Sequence, residues 1–148
     1  VSEQPAPEAP AHTISPAHWQ QFANEETNAH RICSLSQGWS ERLGNNVLLN
    51  HQTQTVLESL DAHWQQFSAQ ELQSSEEFRV FSRHLPRQNA ERSIPALLRG
   101  SPDLPPETEV VENGVRYGID FSAGYAVGLF LDQRANRSLL RGWRPKRL

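Results

Sequence analysis

The chain has 148 residues and a net charge of -3, with 14 Lys and Arg residues against 17 Asp and Glu residues. This length suits one ordinary domain or a small domain with connecting elements, and the weak acidity argues against a free-standing, strongly basic nucleic-acid binder. The chain has one cysteine and no Cys/His group with metal-ligand spacing, so neither a disulfide nor a metal site is predicted. It has no membrane-spanning apolar run and no signal peptide, which predicts a cytoplasmic protein.

The first part of the chain predicts a lead-in, a helix and two strands. Residues 1–15 are rich in Pro and polar side chains, which predicts a disordered lead-in. Ser15-Pro16 is a typical helix start, and the helix is expected to end near Asn28. Two strands are predicted next, with turn signals between them: strand 31–35, turns at Gly38 and at 44–46, and strand 47–49.

The middle of the chain predicts a long helix, a strand and a connector. From residue 53 to residue 67 the apolar side chains recur at helical spacing and form one stripe: Val56, Leu57, Leu60, Trp64 and Phe67. Residues 78–83 alternate between apolar and polar, which predicts a half-buried strand. Residues 86–106 hold five prolines and predict a long connector, with one turn of helix at 95–98.

The last part predicts a hairpin, a strand and a helix. Asn113-Gly114 lies between the alternating runs 109–112 and 115–121, and this dipeptide is the strongest short signal for a hairpin. Residues 126–131 predict a further strand. Asp132 then predicts an N-cap for a helix over 133–142. Strands and helices are mixed without a regular βαβ repeat, so the expected fold class is α+β.

The polar group Asp132-Gln133-Arg134 stands at the predicted junction of strand and helix. Ligands often bind where strands end and helix N-termini offer free N–H groups. The alternative is an Asp N-cap with two exposed polar neighbours. Spacing alone favours this alternative.

A longer pattern around this junction resembles a known family. The chain contains Glu112-Asn113-Gly114-x-x-Tyr117, followed by Gly124-x-x-x-Gly128-x-Phe130-Leu131-Asp132-Gln133-Arg134-x-Asn136-Arg137. This resembles the signature of class I S-adenosylmethionine-dependent methyltransferases that modify large-subunit ribosomal RNA. Weaker similarities to that family lie upstream, in the same order, at Thr27-Asn28-Ala29-His30-Arg31 and Glu41-Arg42-Leu43-Gly44.

The chain also departs from the family pattern. It has 34–39, Ser-Leu-Ser-Gln-Gly-Trp, where family members often have a run rich in Gly and Asp. It has Ala126-Val127 where many members have Lys-Thr. These differences leave the subfamily, the RNA and the methylated base open.

The resemblance implies an arrangement of domains. It implies a small β-β-α-β-β RNA-docking domain with its Pro-rich connector over residues 16–106, then a hairpin, strand and helix over residues 107–148. A Rossmann-like domain is expected to follow Leu148. That domain would bind most of the cofactor, S-adenosylmethionine (SAM). The chain alone is therefore expected to be an inactive part of the enzyme. The implied partner is RNA, ribosomal by family, and a homodimer is left open.

The resemblance also indicates site residues, although no catalytic residue is expected within the chain. Side chains beside the cofactor or substrate cleft would be Phe130, Asp132, Gln133 and Arg134. Basic residues at helical spacing suggest an RNA-contacting stripe: Arg137, Arg141, Arg144 and Lys146. The stripe could equally be a solvated face, or pair with acidic groups of the following domain. Two other functions remain: a non-catalytic RNA-binding module, and a protein-interaction module that matches the signature by chance.

Overall fold

The computed structural model describes residues 12–13, 27–71, 78–85, 93–122, 127–140 and 142–143. Its six-stranded sheet has the strand order β1 (His12–Thr13), β2 (Ala29–Leu35), β3 (Gly38–Leu43), β4 (Asn46–His51), β5 (Arg79–His84) and β6 (Ala96–Arg99). The other elements are helix α1 (Gln54–Glu71), the hairpin of β7 (Glu107–Glu112) and β8 (Val115–Asp120), a 3-10 turn (Leu131–Gln133) and helix α2 (Arg134–Leu140).

Helix α1 packs its apolar stripe on one face of the large sheet, as its spacing predicts. Val56, Leu60, Trp64 and Phe67 are buried there, and Leu57 packs against the same cluster. The helix connects β4 to β5, which are parallel neighbours and so need a crossover connection. The other strand pairs of this sheet are antiparallel.

The hairpin of β7 and β8 covers the opposite face of the sheet. Its turn has positive φ at Asn113 (50°) and Gly114 (78°), as the predicted Asn-Gly turn requires. The second apolar cluster joins side chains of the sheet and the hairpin, and the rings of Phe81 and Phe121 stack there with centroids 4.2 Å apart. The protein is therefore a three-layer arrangement of helix, sheet and hairpin, and the expected α+β class is confirmed.

Three strands correct the sequence-based expectation. Residues 38–43 form β3 in the middle of the sheet, because Gly38 lies against the backbone of β4 and not in a turn. The helical turn expected at 95–98 is wrong, since β5 offers an open edge with which Ala96–Arg99 pairs. His12–Thr13, expected within the disordered lead-in, pairs with β2. The implied β-β-α-β-β order therefore gains strands before α1, while the two strands after it, β5 and β6, match that order. Almost all of the first predicted helix lies outside the described residues.

The segment before α2 also differs from expectation. Residues 127–131 do not form the predicted strand: a hydrogen bond joins Asp120 N to Val127 O (2.8 Å), and Gly128 then takes a φ of +123°. The 3-10 turn starts at Leu131, so Asp132 lies within the turn. The N-cap expected at Asp132 is wrong, because the capping position is held by Phe130, which gives no side-chain cap. The predicted helix itself is confirmed over Arg134–Leu140.

Candidate functional site

Four short motifs, far apart in sequence, meet on the hairpin side of the sheet. We call this place the motif junction, and it is built from these residues: Thr27, Asn28, Ala29, Gly44, Glu112, Asn113, Arg134 and Arg137. These are the segments in which the sequence resembles the methyltransferase family. Their backbones and side chains are in direct contact.

Asn28 is the polar centre of the junction. Its side-chain oxygen accepts a hydrogen bond from Val111 N (2.7 Å), and its backbone N–H donates to Val111 O (2.9 Å). Its carbonyl accepts from Gly44 N (2.9 Å), in the turn between β3 and β4. Thr27 adds a further bond, because its hydroxyl oxygen accepts from Asn113 N (3.1 Å). These bonds fix the tip of the hairpin against the start of β2.

Glu112 fixes helix α2 to the same place. Its carboxylate accepts two hydrogen bonds from Arg137, at 2.7 Å from Nε and 2.6 Å from Nη2. Arg134 lies 3.5 Å from the same carboxylate and donates to the carbonyl of Ala29. Only 2% of the Glu112 side chain is exposed. A paired geometry of this kind is the strongest form of ion pair, and it holds the helix in one orientation.

The ion cluster shifts the protonation of its members. Hydrogen bonds from the Arg137 guanidinium hold the pKa of Glu112 below its ordinary value, although burial opposes this. The same bonds raise the pKa of Arg137. Because the folded pKa of Glu112 is lowered, its contribution to stability is present above its unfolded pKa and is lost as pH falls through the folded pKa.

The predicted site residues separate into two groups. Arg134 and Arg137 lie inside the junction, and Arg137 also donates to Phe130 O (2.7 Å). Phe130, Asp132 and Gln133 lie outside it with exposed side chains, the Phe130 ring being 56% exposed. The remaining residues of the basic stripe, Arg141, Arg144 and Lys146, lie outside the described residues. Contact of the stripe with RNA stays a prediction.

Sequence reasoning did not select Asn28 or Glu112 as site residues. Both lie in the motifs that carry the family resemblance, and this was the available signal. Their roles depend on contacts between residues distant in sequence: Asn28 bonds to Val111, more than 80 positions away, and Glu112 to Arg137, 25 positions away. No local spacing reports such a contact.

His30 is a second buried titratable group beside the junction. It is 2% exposed, and burial, together with the charges of Arg42 and Arg134, lowers its pKa to about 3. The unfolded chain therefore binds a proton at His30 between pH 6.5 and 3 that the folded chain does not bind. Stability that depends on this group is lost as pH falls through that range.

We expect the protein to lose about 2 kcal/mol of unfolding free energy between pH 7 and pH 5 from His30 alone. His30→Gln has no titrating ring and should flatten this part of the pH profile. Urea unfolding at both pH values measures the difference. Each protein is compared with its own stability at pH 7, so a loss of stability that is the same at both pH values does not affect the comparison. An equal pH slope in both proteins would show that His30 does not cause it.

The described residues contain no group of three or more His, Cys, Asp and Glu side chains that could hold a metal ion. In the same part of the chain, no helix has both the length and the apolar character needed to cross a membrane.

The fold is shared with solved structures. One is SMU.776, a proposed methyltransferase complexed with SAH: the TM-score is 0.59 at 24% identity, over 82% of this chain and 31% of that one. Another is a proposed SAM-dependent methyltransferase from Streptococcus mutans, with a TM-score of 0.60 at 22% identity, over 84% of this chain and 33% of that one. The chain thus spans about a third of the length of these structures. No protein-family model and no curated protein matches the sequence.

Proposed function

We propose that this chain is the part of a SAM-dependent RNA methyltransferase that precedes the cofactor-binding domain. The observation that carries the proposal is the fold it shares with SMU.776, a structure complexed with SAH. That likeness covers most of this chain but under a third of the other, which fits an accessory part of a longer enzyme.

The motif junction gives independent support. A chance match to the family signature has no reason to bring its separate pieces into contact. Here Glu112 of one piece binds Arg137 of another, and Asn113 bonds to Thr27 of a third. The motifs therefore behave as parts of one structural unit, which disfavours an unrelated interaction module.

The exposed residues of the turn before α2 suit the rim of a cofactor or substrate cleft. Methyl transfer from a sulfonium requires the acceptor to be held in line in a site that excludes water. We assign the rim to Phe130, Asp132 and Gln133. Arg134 would anchor the end of this turn through its contacts with Ala29 O and Glu112. We assign the main cofactor contacts to a further domain, because the SAH-complexed SMU.776 extends well beyond the third of it that this chain matches.

Helix α2 and the residues after it present an apolar surface that a further domain would cover. Leu139, Leu140 and Trp143 are 70%, 54% and 72% exposed. Exposed apolar side chains in one region mark interaction sites. We further propose that RNA contacts the basic stripe through Arg141, Arg144 and Lys146. Arg137 acts there indirectly, since Glu112 and Phe130 O already occupy its guanidinium. The proposed setting is the cytoplasm.

The test compares this chain with the same chain extended by the coding sequence that follows it. We expect no measurable SAM affinity for residues 1–148, and SAM binding with methyl transfer to RNA for the extended protein. In the extended protein, Gln133→Ala should lower methyl transfer by roughly tenfold, because small displacements in the cleft are costly. Ser138→Ala, an exposed change on α2, is the control and should have no effect.

Calorimetry and transfer of a labelled methyl group are the measurements. An extended protein that binds no SAM would overturn the enzyme assignment and favour the non-catalytic RNA-binding module. SAM binding with full activity in Gln133→Ala would leave the enzyme assignment standing and remove Gln133 from the cleft.

A further inference from the structure

The sheet face that carries the hairpin also bears a row of polar side chains. Trp39, Asn50 and Arg83 are direct cross-strand partners on β3, β4 and β5. Side chains alternate along a strand, so these three lie on the same face as Leu43, Leu48 and Phe81 of the second core. Arg31 of β2 is the partner of Glu41, which lies on that face beside Trp39.

The floor of this row is a buried hydrogen-bonded network. Asn50 is 0% exposed, donates to Glu41 Oε1 (2.9 Å) and accepts from Arg83 Nε (2.9 Å). Glu41 is also buried, and this burial raises the pKa of its carboxyl. The nearby charges of Arg83 and Arg31 oppose this effect of burial. The hydrogen bonds of Asn50 to Glu41 and Arg83 hold the side chains beneath the row in fixed positions.

Arg31 lies at the outside of the network, on top of Trp39. Its side chain is exposed, and its guanidinium carbon is 5.1 Å from the centroid of the half-buried Trp39 ring. Every other arginine within the described residues makes a hydrogen bond or an ion pair: Arg42, Arg79, Arg83, Arg99, Arg116, Arg134 and Arg137. Arg31 makes neither in that part of the chain, so its N–H groups are available to a ligand while Trp39 orders its plane.

We propose that Arg31, supported by Trp39, binds a nucleotide of single-stranded RNA. The free N–H edge of the guanidinium matches two oxygens of a phosphate, and its outer face can stack on a base. The choice of RNA over another polyanion rests on the proposed function. Arg31 differs from Arg134 and Arg137 in that those two are held by the Glu112 carboxylate.

The matched variants are Arg31→Ala and Arg116→Ala. Arg116 is also an exposed strand arginine, but it lies on the hairpin and has only a weak pair with Glu109 at 3.9 Å. Fluorescence anisotropy of a labelled oligouridylate with residues 1–148 measures the affinity at several salt concentrations. We expect Arg31→Ala to weaken RNA binding about tenfold. The slope of log affinity against log salt concentration should fall by about one, the contribution of one phosphate contact. Arg116→Ala should stay within about twofold.

Two further arms identify the ligand. Arg31→Lys keeps the charge but cannot stack in the same way, so we expect binding between that of the wild type and Arg31→Ala. Polyglutamate replaces RNA in a parallel titration and should bind weakly. Equal losses of RNA affinity in Arg31→Ala and Arg116→Ala, or no loss of affinity in either variant, would overturn the proposal that Arg31 binds RNA. Tighter binding of polyglutamate than of RNA would overturn the choice of ligand.

The result is distinguishable from failure of the proposed function. SAM binding by the extended protein does not depend on Arg31. If the extended protein transfers methyl groups and Arg31→Ala changes neither RNA affinity nor KM, the inference about Arg31 fails and the methyltransferase assignment stands.

Discussion

Glu112→Gln is expected to lower the free energy of unfolding by about 3 kcal/mol. The carboxylate is buried and accepts two hydrogen bonds from Arg137, with Arg134 beside it. Removing its charge leaves two guanidinium groups without the opposite charge, at side-chain exposures of 19% and 26%. Loss of one partner of a buried ion pair typically costs more than the pair contributes, since the remaining charge stays desolvated. Urea unfolding at pH 7 measures the change.

Glu109→Gln is the matched control for this experiment. It lies on the same strand, but its side chain is 67% exposed and its pair with Arg116 is 3.9 Å long. We expect a change below about 0.5 kcal/mol. Hydrogen exchange should show that Glu112→Gln loosens α2 before the large sheet, because Arg134 and Arg137 both belong to α2. Similar losses in the two variants would mean that the junction does not hold α2.

Gly38→Ala is expected to destabilise the protein by about 3 kcal/mol, because the new methyl group would overpack the core. An added Cβ would meet the backbone oxygen of Asn50 and lie 2.7 Å from Val56 Cγ1. The backbone oxygen belongs to β4, in the middle of the sheet, and cannot move alone. The strand would have to shift away from β3. The decrease in melting temperature and in the urea midpoint are the measurements.

Gly118→Ala provides the comparison, since it is the same substitution within a strand. An added Cβ at Gly118 meets nothing within 4 Å. Alanine also restricts the unfolded chain more than glycine does, so stability should be unchanged or rise by about 0.5 kcal/mol. If Gly38→Ala proved as harmless as Gly118→Ala, the close packing of β3 on β4 would be refuted.

The local sequence pattern was sufficient to predict those elements whose conformation is set by their own residues. The stripe on α1 identified the helix and its buried face, because apolar spacing sets which side faces the sheet. Asn113-Gly114 identified the hairpin, since both positions need positive φ. The α+β class followed from the order of these elements, and the motif residues identified the part of the chain that forms the junction.

Tertiary structure decided the elements whose conformation depends on a distant partner. Ala96–Arg99 is a strand because β5 offers an open edge, and nothing within those four residues requires it. Gly38 begins a strand and not a turn because the backbone of β4 passes close to it. The roles of Arg134 and Arg137 were likewise decided by Glu112, which lies more than 20 positions earlier in the chain. The sequence by itself marked the short motifs that meet at the junction, but it did not single out Asn28 or Glu112 among them. The folded chain alone determined that Glu112, buried among them, binds these arginines, because a desolvated carboxylate must find a cationic partner.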